Sequence, residues 1–175
     1  EENYTKDTAR KTVLLFLRGK IYEEELKVSA QAAPLYVQVL TLNPNYLPAI
    51  KSLQKIYREE NRAGALAESY LAELAVAEIS PKRRIALHIA CAELFERNLN
   101  KKEWAITHYH QSLKLDSNNL VVVRGLQNLY REEKNYSELT RLAIIELGIE
   151  KNTHRLFVVH KELAEVYLVH LNDVS

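Results

Sequence analysis

The sequence predicts an all-α fold, a solenoid of antiparallel helix pairs stacked one after another. Three observations carry this. A nonapeptide is written twice, LQKIYREEN at Leu53–Asn61 and LQNLYREEK at Leu126–Lys134, 73 residues apart. Around it, residues 35–62 and 108–135 are identical at 12 of 28 positions, where average composition gives roughly two. One aromatic marks each half-period: Tyr22, Tyr57, Phe95, Tyr130 and Tyr167, at spacings of 35, 38, 35 and 37. Fixed periods of this size belong to arrays of helix pairs. No segment keeps the period-2 alternation of a strand. Apolar residues recur instead at three and four, as in Leu53, Ile56 and Tyr57 or Ile106, Tyr109 and Leu113.

The elements follow in order. A first helix over about 6–27 carries the unusually apolar VLLFL (Val13–Leu17) and breaks at Lys27–Ser29. A second, 29–42, ends at NPNYLP (Asn43–Pro48), whose turn residues close one helix and open a third over 46–61. A fourth, 63–79, follows the break at Asn61–Gly64. SPKR (Ser80–Arg83) supplies a Ser N-cap and a Pro at the first helical position for a fifth, 81–98. Breaks at Asn98–Lys102, at DSNN (Asp116–Asn119), at Lys134–Ser137 and at Lys151–Thr153 then separate helices over 102–115, 119–134, 136–150 and 154–171. These nine helices form one repeat domain over 1–175, with units 6–43, 46–79, 81–116, 119–151 and a partial 154–171. The last helix, LFVVHKELAEVYLVHL (Leu156–Leu171), is apolar on more than one face. With the apolar first helix, it leads to the expectation that the chain is a piece of a longer array or associates with itself through its ends.

The segment ACAELFERNLNKKEWAITHYHQSLKLDSNN (Ala90–Asn119) resembles a tetratricopeptide repeat. Small Ala92 lies three before the first-helix aromatic Phe95. The second helix carries small, aromatic and small residues at Ala105, Tyr109 and Ser112, and a turn follows at Asp116–Ser117. The unit before Asn45 matches through Gly19, Tyr22, Ala32, Tyr36 and Pro44, with Val39 departing at the second small site. The alternate units depart further. They place Gln54 and Gln127 at the small first-helix site, and Leu66 and Leu139 at the first small site of the second helix, so they read as degenerate repeats with wider helix pairs. HEAT-type pairs stack by the same amphipathic logic but do not call for the paired aromatic and small pattern. The resemblance spans nearly the whole chain. It implies a right-handed α-α superhelix and a non-catalytic scaffold that binds a partner polypeptide in its concave groove.

In such a groove the first helix of each pair exposes the residues six before, two before and one after its aromatic. The resemblance thus implies rows of Lys51, Lys55, Arg58 and of Arg124, Asn128, Arg131. Between them lie Phe16, Lys20, Glu23, then Ile89, Glu93, Glu96, and Lys161, Glu165, Leu168. The candidate peptide-binding set is the two basic rows, facing one concavity and receiving an acidic stretch, with Phe16, Ile89 and Leu168 as apolar anchors. The alternative is mutual neutralisation, Lys55 and Arg58 pairing with Glu93 and Glu96. Arg124 and Asn128 match half of the family's carboxylate clamp, but Glu162 stands where a second Asn is required, so the clamp is not carried over.

Composition narrows the remaining classes. With 24 Lys+Arg against 23 Asp+Glu the net charge is +1, which argues against a polyanion-binding domain. A nucleic-acid-binding helical array is the alternative reading. Gly19, Gly64, Gly125 and Gly148 stand singly, so no phosphate-cradling loop is written, and no cofactor is expected. His88 and Cys91 at i, i+3 would make half a zinc site, but no second pair lies nearby and no metal is expected. His108 and His110 fall on different helix faces and read as solvated. Adjacent carboxylates such as Glu59/Glu60 and Glu132/Glu133 splay apart, so no acid/base pair is assembled and no enzyme is expected. Trp104 reads as a local cap over its helix turn or as a partner anchor. Cys91 is the sole cysteine and forms no disulfide framework, which is compatible with a reducing compartment such as the cytoplasm. The longest bilayer candidate, TVLLFL at Thr12–Leu17, is far too short to span, so no membrane partner is expected.

Overall fold

The computed structural model describes residues 2–171, with side chains from 7 to 169. Among these residues the chain is all-α. Helix α1 (Glu2–Lys20) continues into a π-helical turn at Ile21–Glu25. It is followed by α2 (Ser29–Leu42), α3 (Leu47–Glu59), α4 (Ala63–Ala75), α5 (Pro81–Arg97), α6 (Lys102–Leu115), α7 (Leu120–Glu132), α8 (Tyr136–Ile149) and α9 (Thr153–Val166). The last continues into a second π-helical turn, Tyr167–Leu171. The chain divides into two compact units, one ending at Ser80 and the other beginning at Pro81. Within the first, α1 packs on α2, α2 on α3 and α3 on α4; within the second, each of α5 to α8 packs on the next. Short connections make sequential helices antiparallel neighbours. The architecture is therefore the predicted run of helix pairs. The boundaries differ from expectation mainly at α4, which stops at Ala75 because Val76 turns extended, and at the two π-helical turns.

The turn inside each pair has a common chemistry. Lys27, Asn61, Asn100 and Lys134 take positive φ, at 57°, 54°, 51° and 56°. The N–H that follows each of them returns to the carbonyl of that unit's marker aromatic. Val28 bonds Tyr22 at 2.8 Å, Arg62 bonds Tyr57 at 2.9 Å, Lys101 bonds Phe95 at 2.8 Å and Asn135 bonds Tyr130 at 2.9 Å. The two closures across five residues, in the alternate units, are Schellman caps that satisfy a terminal carbonyl. The other two span six. The aromatic period seen in the sequence is thus the period of the cap as well as of the core.

Small residues let the helices of a pair approach. Ala32, Ala92 and Ala105 are fully buried. A Cβ on Gly19 would lie 2.6 Å from the ring of Tyr36 in the same pair, and between pairs one on Gly125 of α7 would lie 2.8 Å from that of Tyr109 of α6. The apolar faces of α3 (Ile50, Leu53, Ile56) and α7 (Val122, Leu126, Leu129) are buried throughout, each such side chain contributing about 1.5–3 kcal/mol. Between pairs, the Asn43 carboxamide accepts from the Asn45 N–H at 3.1 Å, and the Asp116 carboxylate from the Asn118 N–H at 3.3 Å. Asn119, Asn135 and Asn152 cap α7, α8 and α9 through their side chains.

Candidate functional site

In the first unit, α3 presents Lys51, Lys55 and Arg58 on one exposed face, as their i, i+4 and i+7 spacing requires. Lys51 has no ion pair among the described residues. The other two are engaged. Lys55 Nζ lies 2.9 Å from Glu23 Oε1, and Arg58 donates to the Tyr70 hydroxyl at 2.9 Å. Glu23 corrects its sequence assignment to the exposed face. It is buried, 7% exposed, and turned toward α2, where its Oε2 accepts from Tyr36 at 2.7 Å. Burial alone would raise its pKa. The bonds from Lys55 and Tyr36, with the nearby charge of Lys20, more than offset this and hold it below the usual range. Phe16 is likewise no free anchor. It is half-buried, its ring 5.6 Å from that of Tyr36 and 5.3 Å from that of Tyr46.

In the second unit, α7 carries Arg124, Asn128 and Arg131. Arg124 donates to Glu146 Oε1 at 2.9 Å and pairs with Glu150. Glu146 is fully buried and also receives Gln127 at 2.9 Å and Arg155 at 2.8 and 3.1 Å. Burial would push its pKa up, but the donors Arg155, Arg124 and Gln127 prevail and bring it to about 2. Arg131 donates to Asn128 at 3.1 Å and to Glu162 at 3.4 Å. The partners of both rows are therefore Glu23, Glu146, Glu150, Glu162 and Tyr70, each within its own unit. Ile89 on α5 is half-buried, and Leu168 is 65% exposed.

Two polar bonds, buried or part-buried, repeat at the 73-residue offset. Gln54 donates to Glu73 at 2.7 Å as Gln127 does to Glu146. Tyr36 donates to Glu23 at 2.7 Å as Tyr109 does to Glu96, at 3.1 Å. The glutamines at the small first-helix site are thus members of a buried hydrogen bond. The sequence reading missed Glu73 and Glu146 and set Glu23 and Glu96 in the groove, although both members of each pair recur at the super-repeat.

His108 and His110 correct the expectation of a solvated surface. Close packing of α5 on α6 buries His108 to 7% exposure. Its Nδ1 lies 3.0 Å from Nδ1 of His88, and its ring stacks 5.5 Å from that of Phe95. Burial lowers the pKa of both, and the charges of His108 and Arg84 take His88 further, to about 4. His110 Nε2 lies 2.8 Å from the Tyr130 hydroxyl. Cys91 is buried, which pushes its thiol up to about 12. Trp104, 53% exposed, lies with its ring 5.5 Å from Phe95. Among the described residues, no three His, Cys, Asp or Glu side chains converge as metal ligands, and no helix is long and apolar enough to cross a membrane.

Beside the α7 row, helices α7, α8 and α9 enclose a cavity of about 300 Å³. Leu139, Ala143, Leu163 and Val166 make its apolar lining, with Arg131, Lys134, Glu162 and Glu165 among the charged groups around it. Thr140 also lines it, and the Thr140 hydroxyl is buried with no hydrogen-bond partner. An open polar cleft of about 400 Å³ along Arg124, Asn128 and Arg131 adjoins it, sharing Gln127, Arg131 and Glu162. The arrangement sets charged groups and an apolar recess side by side.

No family model matches the chain, and no curated protein matches it. A solved structure described as the functional characterization of Pseudomonas aeruginosa pilF is similar at 14% identity with a TM-score of 0.42, over 93% of this chain and 86% of that one. A likeness at that level carries no argument, so the assignment to an all-α helical-repeat fold rests on the helix pairing itself.

Proposed function

We propose that the chain is a tetratricopeptide-like, non-catalytic scaffold that binds a segment of a partner polypeptide along α7, with an apolar side chain of that segment in the recess between α7, α8 and α9. The observation that carries this reading is the continuity of the Arg124–Asn128–Arg131 row with that recess. Exposed ion pairs contribute only about 0.2–1 kcal/mol each, and a micromolar complex requires about 8 kcal/mol. The charged row alone is insufficient, and burial of an apolar anchor supplies the difference at about 25 cal/mol per Å². Arg124 and Arg131 already hold internal carboxylates. An acidic segment of the partner therefore competes with Glu162 at the exposed Arg131, rather than with the buried Glu146 at Arg124. Lys51, Lys55 and Arg58 form the corresponding row of the first unit, where Lys51 is the cation open to a partner.

The test is selection of displayed random peptides on the whole chain, followed by affinity measurement. Enriched peptides are expected to join an apolar or aromatic residue to an acidic one. Arg131→Glu, and separately Ala143→Phe, which fills the recess, are expected to weaken them at least about tenfold while circular dichroism stays helical. Failure to enrich any peptide, or equal binding by both folded variants, would falsify the reading.

A further inference from the structure

We propose that the outer face of α1 is a dimer interface on which a second copy of this chain packs antiparallel, about a two-fold axis passing between Leu17 and Arg18. Val13, Leu14, Leu17 and Ile21 are 46%, 59%, 52% and 53% exposed. Leu14, Leu17 and Ile21 are spaced three and four apart and Val13 lies four before Leu17, which aligns them in one stripe along the helix. Large half-exposed aliphatic side chains in a contiguous row mark an interaction surface, whereas scattered ones do not.

The charges at the two ends of the stripe choose the occupant. Arg10 and Lys11 lie exposed before it, and Glu24 and Glu25 lie exposed after it on the π-helical turn. Lys20 holds Glu24. Arg10, Lys11 and Glu25 have no ion pair among the described residues. Apart from Arg18, whose guanidinium lies 5.9 Å from the ring centre of Tyr22, the row thus reads cationic, apolar, anionic along the helix. Such a row complements itself only when reversed. With the axis between Leu17 and Arg18, Leu14 meets Ile21 of the second copy, and Arg10 meets its Glu25, at both ends of the contact. A parallel arrangement would set Arg10 against Arg10 and Glu25 against Glu25. Isologous contacts of this kind close at two copies. One stripe of four aliphatic residues is smaller than the roughly 800 Å² per partner of tight complexes, so the dimer is weak and dissociates on dilution.

Sedimentation equilibrium of the whole chain over a wide concentration range tests this. A reversible monomer–dimer equilibrium is expected. Leu14→Glu with Leu17→Glu should leave only monomer; both positions face solvent, and circular dichroism checks that the helices persist. Arg10→Glu should weaken the dimer about tenfold, because it turns two attractive contacts per dimer into repulsive ones. The charge swap Arg10→Glu/Glu25→Arg should restore association to within about threefold of the original. Phe157→Glu, on the exposed side of α9, should change nothing. A monomer at every concentration would mean that the stripe serves another occupant and overturns the proposal. So would a dimer indifferent to the α1 leucine changes, or one that Arg10→Glu weakens and the swap does not restore.

Discussion

Gln127 holds the Glu146 carboxylate at 2.9 Å, with both side chains out of water. Two arginines from opposite sides, Arg124 and Arg155, complete the site. A carboxylate buried among four such donor contacts is stabilised only as long as all of them are present, since a buried charge stripped of its partners costs several kcal/mol.

Glu146→Ala should accordingly lower the stability of the second unit by about 3 kcal/mol or more, measured by urea denaturation. Gln127→Leu should cost about 1–3 kcal/mol, because one carboxylate lone pair loses its donor. Since the pKa of Glu146 is depressed from 4.5 to about 2, its contribution is complete above pH 4.5 and is lost as pH falls toward 2. The Glu146→Ala chain should therefore show a flatter stability profile below pH 4.5. An unchanged profile would remove Glu146 from the account.

The His88–His108 contact acts at milder pH. Both pKa values are lowered, that of His88 to about 4. The folded state therefore prefers both imidazoles neutral, one ring nitrogen donating and the other accepting across the 3.0 Å contact. The unfolded chain begins to take up protons near pH 6.5. Stability should be intact above that pH and decline between 6.5 and 4. His88→Gln/His108→Gln should flatten this leg without touching the one below pH 4.5, which urea titrations at pH 7, 5.5, 4.5 and 3 will resolve.

The glycines divide into two classes. Gly19→Ala and Gly125→Ala push a methyl into the rings of Tyr36 and Tyr109, which are buried and tethered by Glu23 and Glu96. Each should cost about 1–3 kcal/mol through overpacking. Gly64 and Gly148 lie in helices with nothing within 4 Å of an added Cβ. Alanine there should stabilise by up to about 1 kcal/mol. Melting temperatures of the four single variants should move in opposite directions, two down and two up.

The positive-φ turns offer the reverse exchange. Lys27 and Lys134 adopt φ of 57° and 56°, a region where a side chain is strained by about 1–2 kcal/mol. Glycine relieves that strain but has more conformational freedom to lose. Lys27→Gly and Lys134→Gly should therefore raise stability by up to about 1 kcal/mol, and Lys134→Val should lower it. Thermal melts followed at 222 nm will check both signs.

Much of the fold was legible in the sequence because the repeat writes each structural role twice. The marker aromatics, the small residues at Gly19, Ala32, Ala92 and Ala105, and the turn at Asp116–Asn119 all lie where their chemistry required. The site was less legible. Position on an ideal helix does not reveal the tyrosine hydroxyl of the next helix, to which Glu23 turns inward as Glu96 turns to Tyr109. Charge is also a poor guide to exposure when carboxylate and donor are far apart in the chain. Lys55 lies 32 residues from Glu23, and Arg124 lies 22 from Glu146. His108 misled for a related reason, since its partner His88 lies 20 residues away on another helix.

Within the two units, the contacts from one helix pair to the next also come in two kinds. From the first pair to the second, Tyr36 meets the small residue Ser52, and from the third to the fourth, Tyr109 meets Gly125. From the fourth pair to the last helix the contact is ionic, Glu146 to Arg155. The first and third pairs are therefore not interchangeable with the fourth. A recombination that removed or inserted 73 residues would rejoin like surfaces, whereas one of half that length would set a tyrosine against a junction built for a carboxylate. The heritable module of this chain is the doublet, and lineages that lengthen or shorten it should do so two helix pairs at a time.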